Sequence, residues 1–280
     1  MNNFWSRTIT GLSMVFLIIA SLYFSRWAFA LIFLAVTVLG LWEFYTLTIT
    51  DDCKPQRWTG TILGTMWYIF IAILSLQMDA GAVLFFGFVF LPLLFIPFIF
   101  ELYRKKEKPI LNVSVTVLGL IYVALPLSLL NAMNYPDHGS ILKHFPAFLL
   151  GYFMISWVYD TGAYLIGKNF GKHKFFERIS PKKTWEGTIG GFAIVLPATY
   201  GLYAISTGIP LIDWFALMIL VIIFGTFGDL AESLFKRSLK LKDSGSILPG
   251  HGGILDRFDT IFLSATFVFL YFNFRILFLF

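Results

Sequence analysis

Apolar stretches close to twenty residues long follow one another through almost the whole of this 280-residue chain. Folded as a helix, such a stretch crosses about 30 Å of hydrocarbon. Backbone in lipid has no water to bond, so only helices and closed barrels span a membrane. Barrel strands alternate apolar and polar residues, and these runs do not. They predict an all-α polytopic integral membrane protein. A soluble domain is excluded by charge as well: only 13% of the residues are charged, against about a quarter in soluble domains.

Nine transmembrane helices are expected, over 8–24, 27–49, 58–78, 82–100, 110–133, 145–166, 186–206, 213–231 and 258–280. With a cytoplasmic N-terminus, the inner loops collect eighteen of the 21 bases, leaving Arg26, Lys143 and Arg275. This bias recurs from loop to loop, as the positive-inside rule requires. It also puts the C-terminus outside. The first run is long and has no small-residue cleavage site after it, so it is expected to stay as an anchor. The single Cys53 excludes an internal disulfide and a thiolate metal cluster.

Residues 1–140 carry little chemistry and are expected to form a transmembrane scaffold. Glu43 is the acid inside a span there. Intramembrane carboxylates are functional candidates, but this one lies near an inner helix end, and its role stays open. The basic run "YRKKEK" at 103–108 is accounted for by topology and anionic headgroups. Residues 141–280 are expected to carry a cytoplasm-facing site.

Three polar clusters there hold more than charge. In "SWVYDTGAYLIGKNFGK", Asp160, Tyr164 and Lys168 recur one helical turn apart and share a face. In "SPKKTWEG", Ser180 is expected to cap a helix with Pro181 at its first position. Lys182 and Lys183 would then stand in a first turn whose free amides attract anions. The third and largest runs from 225 to 259. Asp229, Glu232, Ser233 and Lys236 form a helical stripe, and Asp256 and Asp259 stand one turn apart at the start of the ninth span. Charge at membrane depth needs a partner or a cation. Aspartates without cysteine select a hard cation such as Mg²⁺. Lys236, Arg237, Lys242, His251 and Arg257 are phosphate partners, and the Gly252–Gly253 stretch of "PGHGG" offers backbone amides to anions. Carboxylate-bound metal with phosphate-binding cations suits phosphoryl or nucleotidyl transfer. No Walker motif is present, against an ATP-hydrolysing pump.

The stretch "SLFKRSLKLKDSGSILPGHGGILDRFD", 233–259, resembles the signature of the phosphatidate cytidylyltransferases, or CDP-diacylglycerol synthases. The matching positions are Ser233, the "KR" pair, "KD", Pro249, "HGG" and "DR.D". "SPKKTWEG" and the surroundings of Asp160 are similar to family motifs too. The resemblance covers 156–259. It implies Mg²⁺-dependent transfer of a cytidylyl group from CTP to phosphatidic acid, giving CDP-diacylglycerol and pyrophosphate in phospholipid biosynthesis. It also implies a homodimer in the bacterial cytoplasmic (inner) membrane, with no nucleic-acid partner. The metal ligands it implies are Asp229, Asp256 and Asp259, with a second, monovalent cation compatible.

On that reading Lys236, Arg237, His251 and Arg257 serve catalysis with Asp229 and Asp256. Lys182, Lys183, Lys168, Lys242, Asp160, Ser233, Gly252 and Gly253 bind substrate. Spacing alone does not single out CTP. Two other readings stand beside it. A CTP-dependent polyprenol or lipid kinase of similar build would need a general base for its alcohol acceptor. An ion-coupled transporter would need paired half-repeats and midplane sites, neither of which the sequence displays.

Overall fold

The computed structural model describes residues 3–77, 91–134, 147–206, 209–241, 244–245 and 252–279. Lys242 and His251, the first half of the fourth expected span (82–90) and the polar loop at 135–144 lie outside the described residues. The helices are α1 (Asn3–Phe24), α2 (Arg26–Thr48), α3 (Arg57–Gln77), α4 (Ile96–Arg104), α5 (Pro109–Met133), α6 (Ala147–Phe170), α7 (Trp185–Ile205), α8 (Leu211–Ser238) and α9 (Leu255–Leu279). An antiparallel pair, β1 (Lys174–Phe176) and β2 (Ser180–Thr184), joins α6 to α7.

Among the described residues five helices, α2, α3, α5, α7 and α8, are long and apolar enough to cross a membrane. Their outer faces carry large apolar side chains such as Leu31, Ile62, Ile189 and Ile212. Water does not tolerate such continuous apolar faces, whereas lipid covers them without cost. The chain is an integral membrane protein of all-α build. The expected spans at 27–49, 58–78, 110–133 and 186–206 meet α2, α3, α5 and α7 to within a residue at each end. The eighth runs on past its expected end to Ser238, which carries its polar stripe on regular helix.

Backbone contacts gather the chain into two compact units. One combines Met1–Tyr135 with Leu239–Phe258, the other Pro136–Ser238 with Asp259–Phe280. The units therefore do not follow a single cut near 140.

In the first unit, Ser25 ends α1 and caps α2, its Oγ accepting from Trp27 N at 3.2 Å. Phe29, Phe33, Leu41 and Tyr68 fill the core with Phe258. The Tyr45 ring lies between Gly60 and Gly119; a Cβ at either glycine would come within 2.4 or 2.5 Å of it. Its hydroxyl donates to Thr116 O at 2.7 Å. A polar knot joins the ends of α3, α4 and α5. Buried Glu101 accepts from Gln56 Nε2 at 2.7 Å and Asn112 Nδ2 at 2.8 Å, and pairs with Arg104 at 2.8 Å. Lys108 pairs with Asp52, whose carboxyl that contact holds below the usual carboxylate range. Two bases of the 103–108 run thus fasten loops.

In the second unit, α6 and α7 meet along small residues. A Cβ on Gly187 would stand 2.7 Å from Ala163 O, and one on Gly191 3.0 Å from Ala163 Cβ. Membrane helices use such seams because close backbone approach supplies the packing that hydrophobicity cannot supply in lipid. Trp214 of α8 lies fully buried against Gly151 of α6. Tyr152 and Ser264 hydroxyls bond at 2.7 Å, tying α6 to α9. Buried Asp213 accepts from Tyr271 Oη at 2.6 Å and from Arg275 Nε at 2.8 Å. That pair explains how the largely apolar α9 can hold an arginine.

Candidate active site

The second unit brings together acids from three helices. Regular α8 presents Asp229, Glu232, Ser233 and Lys236 along one stripe, as their spacing predicts. Ser233 Oγ donates to Asp229 Oδ1 at 3.3 Å, and Lys236 Nζ meets Glu232 Oε2 at 2.8 Å. Asp259 of α9 lies within electrostatic reach of Asp229, Glu232 and Asp160. Gly228 lets α9 come close, since a Cβ there would stand 2.5 Å from Asp259 O. The Asp160 carboxylate comes from α6. Its neighbour Tyr159 bonds Thr226 Oγ1 at 3.0 Å, fixing α6 against α8. Further along α6, Lys168 lies 5.9 Å over the Tyr164 ring, so the expected shared face is real.

Lys183 enters this cluster from outside the helices. Its Nζ lies 2.8 Å from Asp229 Oδ2 and 3.4 Å from Thr226 O. The route it takes corrects the sequence reading. Residues 180–184 are not the start of a helix capped by Ser180; they form β2, paired antiparallel to β1. Pairing in a hairpin satisfies backbone groups that a helix N-terminus would leave open. The cap is Thr184, whose Oγ1 accepts from Gly187 N at 3.2 Å. The first turn then holds Glu186, the charge that a helix N-terminus favours. Lys183 therefore reaches Asp229 from an extended strand, while Lys182 on the same strand is exposed. Beside the hairpin an open hollow of about 720 Å³, walled partly by Lys172, His173, Trp185 and Glu186, contains none of the expected site residues.

Three acids thus lie within electrostatic reach of Asp259, and ion pairs answer two of the four. Oxygen-only donors suit a hard cation. Among the described residues no three acids close into a ready-made ligand cage. Magnesium needs none, because it keeps waters and shares its coordination with substrate phosphates.

Asp256, Arg257, Gly252 and Gly253 lie in the first unit. Asp256, in the first turn of α9, points its Oδ2 at two amides, Ser244 N at 2.9 Å and Gly253 N at 3.1 Å. The Gly253 amide is therefore already bonded to a carboxylate. Gly252 has φ +82, and a Cβ there would lie 2.5 Å from Asp256 Oδ2. Glycine is required at 252 on both counts. Arg257 is exposed one residue on. In the second unit, Arg237 is exposed near the end of α8.

Sequence reasoning left Glu43 open, and here it is one of the best-connected side chains. It is buried, with 4% of its surface exposed. It accepts from Ser244 Oγ, from Ile254 N at 2.9 Å and from Leu255 N at 3.1 Å. The available signal was the acid itself, inside an otherwise apolar span.

Comparison with known proteins places the chain as a whole. The model of the cytidylyltransferase family matches residues 5–275. The phosphatidate cytidylyltransferase of Haemophilus influenzae is 30% identical over 97% of this chain and 99% of its own length. Those of Staphylococcus aureus and Staphylococcus haemolyticus are 49% and 48% identical, each over 40% of this chain and 44% of their own.

Proposed function

This chain belongs to the cytidylyltransferase family, and from that premise we propose that it makes CDP-diacylglycerol and pyrophosphate from CTP and phosphatidic acid. It is a nucleotidyltransferase, as the names of its relatives support. One observation carries the assignment to a site: acids of α6, α8 and α9 gather around Asp229 with Lys183 paired to it. That is the arrangement a triphosphate and its cation require.

The nucleophile is an oxygen of the lipid phosphate. Its second pKa is near 6, so it is largely dianionic at neutral pH and needs no strong general base. A new bond forms from this oxygen to the α-phosphorus of CTP. The bond from that phosphorus to the β-phosphate bridging oxygen breaks, and pyrophosphate leaves. Asp229 and Asp259 would hold Mg²⁺, with a second, monovalent cation beside it, and the metal supplies neutralisation of the nucleotide phosphates. Lys183 and Lys236 orient Asp229 and Glu232 and offer their charge to phosphate oxygens. Lys182, Lys168 and Arg237 are further phosphate partners. Asp160 adds to the field that retains the cation, and Ser233 holds Asp229 in place. Asp256, one helical turn before Asp259 on α9, is essential to the same transfer, and Arg257, Lys242 and His251 serve phosphate.

We further propose nine membrane crossings with the N-terminus in the cytoplasm, a cytoplasm-facing site, and a homodimer in the bacterial inner membrane. CTP then arrives from water while the acyl chains enter from the inner leaflet.

Labelled CTP tests the reaction. With purified protein, phosphatidic acid and Mg²⁺, α-phosphate label should enter the lipid and one pyrophosphate should appear per lipid product. Chelation should stop both. Label entering from the γ-phosphate would instead make the chain a lipid kinase.

A further inference from the structure

Glu43 is a carboxylate on an apolar helix, and all three of the donors described above come from a segment about two hundred residues away: the chain separations are 201, 211 and 212. A buried carboxylate without hydrogen bonds costs several kcal/mol, so these contacts account for its being there. Their arrangement does more than satisfy charge. Ser244 lies before residues 246–251 and Ile254 and Leu255 after them, so one side chain grips both flanks of that stretch. Two of its donors are amides at the start of α9, where a helix favours a negative charge.

The grip is shaped for this carboxylate. A Cβ on Gly253 would fall 1.9 Å from Glu43 Oε1 and 2.2 Å from Ser244 Oγ, and one on Gly245 3.1 Å from Glu43 Oε2. The contacts continue from Glu43 to Asp256. Ser244 Oγ, which donates to Glu43, accepts from Asp256 N at 3.3 Å, and Ser244 N donates to Asp256 Oδ2 at 2.9 Å.

We propose that Glu43 is a positioning residue for cytidylyl transfer: it clamps both flanks of residues 246–251 and, through Ser244, aims the Asp256 carboxylate. This rests on the reaction proposed above. The scaffold half of the chain thereby contributes a residue to the catalytic machinery without touching substrate.

The test uses full-length protein in detergent or liposomes. Glu43→Gln keeps the shape but replaces one accepting oxygen with a donor and removes the charge, so at least one of the two amides at the start of α9 loses its acceptor. The expected result is a loss of at least tenfold in kcat per folded molecule, with a smaller change in KM for CTP. Gly253→Ala should be inactive, since its Cβ would fall on both Glu43 Oε1 and Ser244 Oγ. Hydrogen exchange reads the clamp without the reaction: in Glu43→Gln, at least one of the Ile254 and Leu255 amides should exchange at least tenfold faster, and amides within α5 should not. Unchanged exchange at both amides or wild-type kcat in Glu43→Gln would each overturn the proposal. Wild-type protein that makes no CDP-diacylglycerol would overturn the reaction instead, and exchange would still decide the clamp.

Discussion

Replacing Lys183 with glutamine removes the charge paired with Asp229. Nζ lies 2.8 Å from Asp229 Oδ2, and the two side chains are 24% and 30% exposed. Two unit charges 4 Å apart near a protein surface attract by about 4 kcal/mol. Solvent screening and side-chain ordering remove much of that. A charged hydrogen bond contributes about 1.5–3 kcal/mol net. If Lys183 fixes Asp229 during transfer, that energy is lost from the transition state. At about 1.4 kcal/mol per factor of ten, Lys183→Gln should lower kcat/KM for CTP roughly ten- to a hundredfold. Lys183→Arg, which keeps the charge, should lose less. The assay is incorporation of α-labelled CTP into lipid, normalised to monodisperse protein. The same variant should melt at lower temperature in chelator and recover with added Mg²⁺, because the cation takes over the lysine's charge. Activity within threefold of wild type, at equal folded protein, would show that Lys183 only sets topology and would refute this assignment.

Asp256→Asn should abolish transfer while the protein still inserts and folds, checked by gel filtration and product formation. Lys105→Ala should leave the rate within about twofold, since the 103–108 run fastens loops in the first unit. Arg275→Leu should strand buried Asp213 and cost about 3 kcal/mol of stability, read as a lower melting point in detergent. Pairing it with Asp213→Asn should recover part of that loss.

The helices were legible because lipid demands runs of a set length, and four expected spans end where helices end. The stripe on α8 was legible for a related reason: a helix fixes which residues share a face. The hairpin was not. "SPKKT" reads as a capping sequence, and only its pairing with Lys174–Phe176 makes it extended. The acids 229 and 259 could be nominated from residue type and spacing. Lys183 could be nominated too, but the strand that delivers it to Asp229 could not. Glu43 defeated local reading altogether. Its meaning lies in residues about two hundred positions later, and a single sequence carries no trace of that pairing. Asp213 and Arg275 posed the same difficulty at a separation of 62 residues.

The long reach of Glu43 has a consequence for biogenesis. Ribosomes add roughly 5–20 residues per second in the ordinary range for synthesis. The donors of Ser244, Ile254 and Leu255 follow Glu43 by 201 to 212 residues, so they emerge about 10–40 s later at that rate. Through that interval α2 must be inserted with its acid lacking all three. The second helix can complete its polar contacts only when the last one arrives. A chain truncated before residue 244 would carry this carboxylate without its clamp, a defect that membrane quality control could recognise from a single side chain.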